Sequence, residues 1–370
     1  MSQRPNAALT GLIAACVVAA LVVVVLLRRP ASEPPPPPVA FERAMAVVFL
    51  GDTGQGDQAQ DFVKRRGLRA SFEHARATLG DADFVIANGE TPIVDASLPP
   101  IAGKNRFLPR QVPAVARAYA EEGFAAFGLA NNHALDFGTD GLAQTQRHLD
   151  AVGIRTFGAG SDAEAARAPL ILEQGKLAVA VLAYFEDRES YRKLDWYAGP
   201  NQPGVARLTQ ANIAQDVARA RSRAEVVVVY PHFGKNYRTV TKDQRRLARA
   251  AVQAGAHLVV GHGAHMAQLV EMINGVPVLY SVGNFIWHSR GLFADKGVEH
   301  RAYALVTRVE LDHERIRRIR LTPLHVNNQV VEFVPQRVAA ERARELFDEI
   351  LMPLQGRWRL AGSSAVIELP

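Results

Sequence analysis

Five short polar clusters, each following a strand-like apolar run, constrain this chain more than any other feature. In order they are Gly51-Asp52, Asn88-Gly89-Glu90, Asn131-Asn132-His133 with Asp136, His232 with Gly234, and Gly261-His262 with His265. The runs before them cover residues 46–50, 84–87, 124–130, 226–230 and 258–260. In an alternating α/β fold the carboxyl ends of parallel strands converge on one sheet edge, and sites are built there. Two carboxylates, an amide and three imidazoles gathered at such an edge suit a site for two hard or borderline metal ions.

Length and charge bound the alternatives. The chain has 370 residues, of which 48% are hydrophobic, so a large core is within reach. Beyond residue 40 there is enough chain for one large α/β domain or two small ones. The formal charge of +6 is dispersed, with small clusters such as Arg245-Arg246 and Arg317-Arg318. It forms no basic stripe interleaved with aromatics, so nucleic acid is not expected as a partner. An anionic polymer or a membrane surface fits this charge equally well, as does a plainly solvated surface. Cys16 is the single cysteine, which excludes an intrachain disulfide and a cysteine-based zinc site.

The amino terminus reads as a membrane element. After a short tail at residues 1–6, residues 7–27 carry no charge and one hydroxyl, Thr10. A helix of that length spans a bilayer core. Arg28-Arg29 closes the run, and residues 28–40 include a proline run that forms a stiff, extended stalk. The apolar core is longer than that of a cleaved signal peptide, so an uncleaved anchor is expected. Ile13-Ala14-Ala15-Cys16 also resembles a lipoprotein cleavage box, although residues 17–27 stay apolar where a polar tether is usual. The expected address is the cell membrane. Arg4 stands on one side of the run and Arg28 and Arg29 on the other. This count slightly favours a cytoplasmic domain and leaves an extracytoplasmic one open.

Residues 41–370 read as one layered α/β domain. Strands are expected at residues 46–50, 83–88, 125–129, 226–229 and 276–280, with a hairpin at 170–183 turning at Gln174-Gly175. Helices are expected over residues 112–122, 141–151, 210–223, 242–254 and 339–351, with Gly123, Gly153 and Gly255 as stop residues. A mixed segment after the first strand, to Leu79, also reads as helix. Residues 302–311 and 316–323 add strands in succession, which points to two sheets rather than a closed barrel.

Taken singly, most clusters have a plain structural reading. Gly-Asp after a strand is usually a turn or cap, and Asn88-Gly89-Glu90 could be an ordinary loop. Asp52 nonetheless offers a hard oxygen ligand, and glycines at 51, 54 and 56 let the turn approach closely. In Asn131-Asn132-His133 with Asp136, a capped helix start explains the amides and the carboxylate but not His133. His133 suits a general acid or phosphate contact, its ring oriented by Asp136, with Asn132 as an oxygen ligand. His232, leaving an apolar strand, is as readily a buried edge histidine as a ligand. His262 and His265, three apart in a glycine-rich turn, can ligate one ion or two neighbours. His257, His288, His300 and His325 lack comparable surroundings. It is the order of five clusters that makes coincidence a poor explanation.

That order resembles the calcineurin-like metallophosphoesterase superfamily, and more closely its CapA/PgsA branch of capsule and poly-gamma-glutamate synthesis proteins. The match is carried by Gly51-Asp52, Asn88-Gly89-Glu90, residues 130–138 (ANNHALDFG), Gly158-Ala159-Gly160, residues 232–237 (HFGKNY), 261–265 (GHGAH) and 280–285 (YSVGNF). The resemblance runs over residues 46–334 and implies a four-layer αββα sandwich with two mixed sheets. It implies that Glu90 bridges two ions, that Asp52 and His265 hold one, and that Asn132, His232 and His262 hold the other. His133 would be the acid, held by Asp136. The cofactor implied is a divalent metal such as manganese, iron or zinc, as one or two ions.

This chain also departs from the pattern. The superfamily's Asp-x-His is Asp52-Thr53-Gly54 here. Asn236 stands where the branch has glutamate, and Gly263-Ala264 interrupts its Gly-His-His-Pro-His. Two functions follow from the resemblance. One is a metal-dependent hydrolase acting on a phosphoester or an amide. The other is a non-catalytic scaffold or polymer-binding subunit of a synthesis and export complex, with polymer synthetase or export chains as partners. Lys235, Arg238 and Lys242 could meet an anionic polymer or simply be solvated.

Overall fold

The structure, a computed structural model, describes residues 40–104, 108–287, 289 and 302–370. The expected anchor at 7–27 and the stalk through residue 39 lie outside the described residues, as do His288 and His300. Among the described residues no helix is long and apolar enough to cross a membrane.

Two mixed sheets face each other. In the first, Met45–Thr53, Phe84–Gly89, Phe124–Gly128 and Arg155–Phe157 run parallel. Tyr303–Leu311, Ile316–His325, Ser364–Glu368 and Trp358–Ala361 extend it from the Met45–Thr53 side in antiparallel steps. In the second, Leu177–Glu186, Val226–His232, Leu258–Val260 and Val276–Leu279 run parallel. Leu170–Gln174 and Val270–Ile273 close its edges antiparallel.

Side-chain alternation explains the packing. In Val226–His232, Val226, Val228 and Tyr230 enter the core between the sheets. Val227 and Val229 point the other way, against helices Gln210–Ala220 and Lys242–Ala254. β-branched residues fill both faces well, and each fully buried valine contributes about 1.5 kcal/mol or more. Across the core, Tyr230 meets Phe49 at 5.9 Å and Phe157 at 6.3 Å between ring centroids. Helices Val115–Glu121 and Gly138–Asp150 flank the first sheet.

The helix Lys242–Ala254 keeps its expected bounds because both ends carry strong local signals. Thr241 and Gln244 form a capping box, and Gly255 ends the helix in the left-handed region at φ 102°. By contrast, the helix expected up to Leu79 is broken into Gln60–Arg66, a 3-10 turn at Leu68–Phe72, and Arg76–Leu79. Gly67 at φ 79° interrupts it. The short strands Arg155–Phe157, Val270–Ile273, Trp358–Ala361 and Ser364–Glu368 were not expected from the sequence. Their stability comes from pairing with distant strands rather than from their own composition.

Candidate metal centre

The predicted cluster residues sit where parallel strands of both sheets end. Asp52 lies in Met45–Thr53, just past a register shift between Phe49 and Asp52. A Cβ on Gly51 would stand 1.7 Å from the Gly283 carbonyl oxygen, so only glycine lets this strand pass the 280–285 segment. That segment then clamps Asp52: its N–H donates to Gly283 at 3.2 Å, and its carbonyl accepts from Phe285 at 2.9 Å. Glu90 follows Phe84–Gly89 directly. The strand Val226–His232 continues through Pro231, so His232 is its last residue. His262 and His265 occupy the turn after Leu258–Val260, where Gly263 (φ 97°) packs on the His232 ring and His265 itself takes φ 58°.

These side chains converge in the interior. Asp52 Oδ1 lies 3.3 Å from His262 Nδ1 and 3.6 Å from His232 Nδ1, and its Oδ2 lies 3.1 Å from His265 Nδ1. Asp52 Oδ2 also accepts from the Gly263 N–H at 3.1 Å. Two groups of donors share Asp52, namely Asp52 with His232 and His262, and Asp52 with Glu90 and His265. Asp52 and His265, expected around one ion, lie together; the residue common to both groups is Asp52, where Glu90 was expected to be shared. Glu90 Oε1 faces His232 Nε2 at 3.8 Å, His265 Nε2 at 3.9 Å and His133 Nε2 at 4.0 Å.

Amides brace this cluster. Asn88 donates to Asp52 Oδ1 at 2.8 Å and lies 3.3 Å from His232 Nδ1. Asn131 fixes the Asn88 amide by donating to its oxygen at 3.1 Å. It also accepts from the His133 N–H at 3.0 Å. Asn284 Oδ1 sits 2.8 Å from His265 Nδ1.

His133 and Asp136 meet as expected, with Nδ1 and Oδ2 2.6 Å apart. The other oxygen of Asp136 accepts from Lys104, whose ammonium also donates to the Asn132 carbonyl and lies 4.6 Å from the centre of the Trp196 ring. Asn132 is half-buried, and its Oδ1 is buried without a hydrogen-bond partner.

Burial and neighbours set the charges. Burial works to raise the Asp52 carboxyl, but hydrogen bonds from His262 and His265 overcome it and hold Asp52 well below the usual carboxylate range. Glu90 is pushed well above that range by burial and then by the Asp52 charge. Burial lowers His232 strongly and lowers His133 as well, with Asp136 partly opposing it at His133. Burial also lowers Lys104 against the pull of Asp136.

These residues fit a divalent cation. His265 Nδ1 faces two oxygens, of Asn284 and Asp52, and therefore carries the proton; its Nε2 presents a lone pair. His133 Nδ1 faces Asp136 in the same way. Lone pairs thus point at the Glu90 oxygen across roughly 4 Å, a gap that a metal with bonds of about 2.0–2.2 Å to each ligand would bridge. Glu90 Oε1, His262 Nε2 and Asn132 Oδ1 are all buried without partners, three unmet polar atoms from the expected ligand set.

A model of the family described as bacterial capsule synthesis protein PGA_cap matches residues 46–289. The chain belongs to this family. Among its relatives, the PGA biosynthesis protein CapA of Bacillus subtilis is 25% identical over 285 residues, covering 76% of this chain and 72% of that protein. The capsule biosynthesis protein CapA of Bacillus anthracis is 28% identical over 250 residues, covering 66% of this chain and 60% of that protein. Among solved structures, the calcineurin-like phosphoesterase YfkN of Bacillus subtilis aligns with a TM-score of 0.47 at 12% identity. That alignment covers 72% of this chain and 85% of that one.

Sequence reasoning missed Lys104, Asn88 as a brace, and Asn284. Asn88 and Asn284 lie inside quoted motifs, and an amide beside a ligand cluster was the available signal. Lys104 carries none, because it lies in a loop 28 residues before Asn132. Of the histidines set aside, His257 Nδ1 accepts from the Val227 N–H at 3.0 Å, and the His325 ring lies 5.4 Å from that of Tyr303, tilted by 43°. Lys235, Arg238 and Lys242 are exposed.

Proposed function

We propose that this capsule-synthesis family member is a membrane-anchored, metal-dependent hydrolase of envelope polymer biosynthesis, acting on a phosphoester or amide bond of an anionic polymer or its precursor. The observation that carries this reading is the buried, unpartnered Glu90 Oε1 faced by three imidazole Nε2 atoms, with the His133–Asp136 pair beside it. Asp52, Glu90, Asn132, His232, His262 and His265 are the proposed ligands, for one or two divalent ions. A bound ion would act as a Lewis acid that polarises the scissile group.

The chain's own residues do the rest. Asp136 holds the Nδ1 proton of His133, which fixes the ring and leaves Nε2 to exchange protons. Burial lowers the proton affinity of His133, so a proton taken up at Nε2 is readily handed to a leaving oxygen or nitrogen. Asn132, half-buried, and after it His133 and His265, at 7% and 6%, are the more exposed members of the set, so substrate would approach from their side. Residues 7–27 and the proline stalk would tether the domain to the cell membrane, extracytoplasmic in this reading, beside polymer synthetase or export chains.

The test is elemental analysis of the full chain, purified in detergent without chelator, beside Glu90→Ala. Stoichiometric manganese, iron or zinc that disappears in the variant is expected. Equal metal in both, or none in either after reconstitution, would remove the metal site from this reading. One observation favours a second reading, a non-catalytic polymer-binding subunit. The Asn88 amide donates to Asp52 Oδ1, and the first strand lacks the superfamily's histidine, so part of the donor set is already engaged. In that case metal-loaded protein would hydrolyse neither phosphoesters nor glutamyl polymers.

A further inference from the structure

Lys104 belongs to none of the motifs, yet its side chain is only 7% exposed and reaches the heart of the His133 turn. An ammonium has three N–H donors. Here the ammonium donates to Asp136 Oδ1 and the Asn132 carbonyl, lies 4.6 Å from the centre of the Trp196 ring, and stands 3.5 Å from His133 Nδ1, whose proton is already directed at Asp136; Trp196 Nε1 in turn donates to the Asn131 carbonyl at 2.9 Å. Buried and turned toward Asp136 and the Asn132 carbonyl, Lys104 is placed to brace the His133 turn. It is held in place by its loop. The Ile101 N–H donates to the Asp136 carbonyl at 2.9 Å. The Arg110 guanidinium gathers the carbonyls of Asp95, Ala96 and Leu98 while lying over the Phe137 ring.

The two oxygens of Asp136 are thus divided: Oδ2 goes to His133 Nδ1 and Oδ1 to Lys104. Asp136 is fully buried, so without Lys104 its Oδ1 would lose its charged partner. The carboxylate would then be free to rotate off the histidine. We propose that Lys104 is a positioning residue which, acting through Asp136, locks the His133 ring so that Nε2 faces Glu90. This rests on the hydrolase reading for its consequence in turnover, but not for its structural content.

The experiment compares the full chain with Lys104→Met and Lys104→Arg. It follows the His133 Nδ1–H resonance, assigned by its loss in His133→Asn, together with metal content and turnover of bis(4-nitrophenyl) phosphate. Lys104→Met is expected to lose or broaden that resonance and to keep its metal. Its kcat should fall by roughly 10–100-fold with little change in KM, the range typical of residues that orient a site from outside it. Lys104→Arg, which keeps the charge, is expected to restore most of the signal. An unchanged resonance in Lys104→Met would overturn the proposal, and so would loss of metal as complete as in Glu90→Ala. If wild-type protein does not turn over the phosphodiester, the hydrolase reading fails while the resonance still decides the role of Lys104. Should Lys104→Met not fold, Lys104→Gln is read by the same resonance with the same outcomes.

Discussion

Glu122 and Asp216 are as buried as Glu90, with side chains 1%, 1% and 0% exposed, but the fold treats them differently. Glu122 receives Arg76 on both oxygens at 2.6 Å and Arg69 at 2.7 Å. Burial would raise its pKa, and those arginines bring it below the ordinary carboxylate value. Asp216, in the helix Gln210–Ala220, receives Arg167 at 2.6 and 2.8 Å, Arg219 at 2.5 Å and the Tyr184 hydroxyl at 2.9 Å. Among the described residues Glu90 meets a weak amide contact at 3.5 Å, the Asp52 carboxyl, and histidines at 3.8–4.0 Å, with no arginine. A buried carboxylate matched by arginines ties elements together. One left facing lone pairs suits a cation that the chain does not itself supply.

The largest effect that could break this contrast is on metal. Glu90→Ala should weaken binding of manganese or zinc at least about 100-fold by calorimetry, since it removes a proposed ligand rather than a surrounding group. Glu122→Ala should leave affinity unchanged, and a comparable loss there would dissolve the distinction. Next comes stability. Asp216→Ala should cost about 3 kcal/mol in denaturant unfolding, the low end for a broken buried pair because its arginines reach solvent.

A smaller effect of opposite sign sharpens the comparison. In metal-free protein Glu90→Gln should stabilise the fold by about 1 kcal/mol at neutral pH, because it removes a buried carboxyl that must either take up a proton or keep a charge beside Asp52. The sign follows from linkage. Glu90 has a raised folded pKa, so its contribution is full below the unfolded value and is lost as pH rises through the folded one. The histidines act in the other direction. His232 and His133 are lowered, so their contribution is present above about pH 6.5 and is lost as pH falls through their folded values. Metal-free wild type should therefore lose stability on acidification below about pH 6.5, and Glu90→Gln should keep that acid limb while flattening the one toward neutrality. A thermal-shift series across pH with chelator present reads both limbs.

Much of this was legible before the structure. The strands before Asp52, Glu90 and His232 announce themselves by unbroken apolar runs, and the polar residues at their ends by recurring as five clusters in one order, since each taken singly reads as a turn, a loop or a buried histidine. The helix Lys242–Ala254 was readable because Thr241, Gln244 and Gly255 mark both ends locally. The segment up to Leu79 was misread because its periodicity is helical while Gly67 turns the backbone out of the helix. The strands Trp358–Ala361 and Ser364–Glu368 were invisible, being specified by pairing with each other and with Ile316–His325.

The sequence by itself determined which residues could ligate a metal and in what order the strands deliver them, because both are local properties of residue type and apolar periodicity. Tertiary structure alone decided which atoms are left without partners. It also decided that Asp52 joins both donor groups, that Asn88 is braced by Asn131 among them, and that Lys104 comes from a distant loop to Asp136. Those facts depend on how two sheets and a loop meet, and the free energy of a buried charge is set by whatever the fold brings within a few ångströms of it.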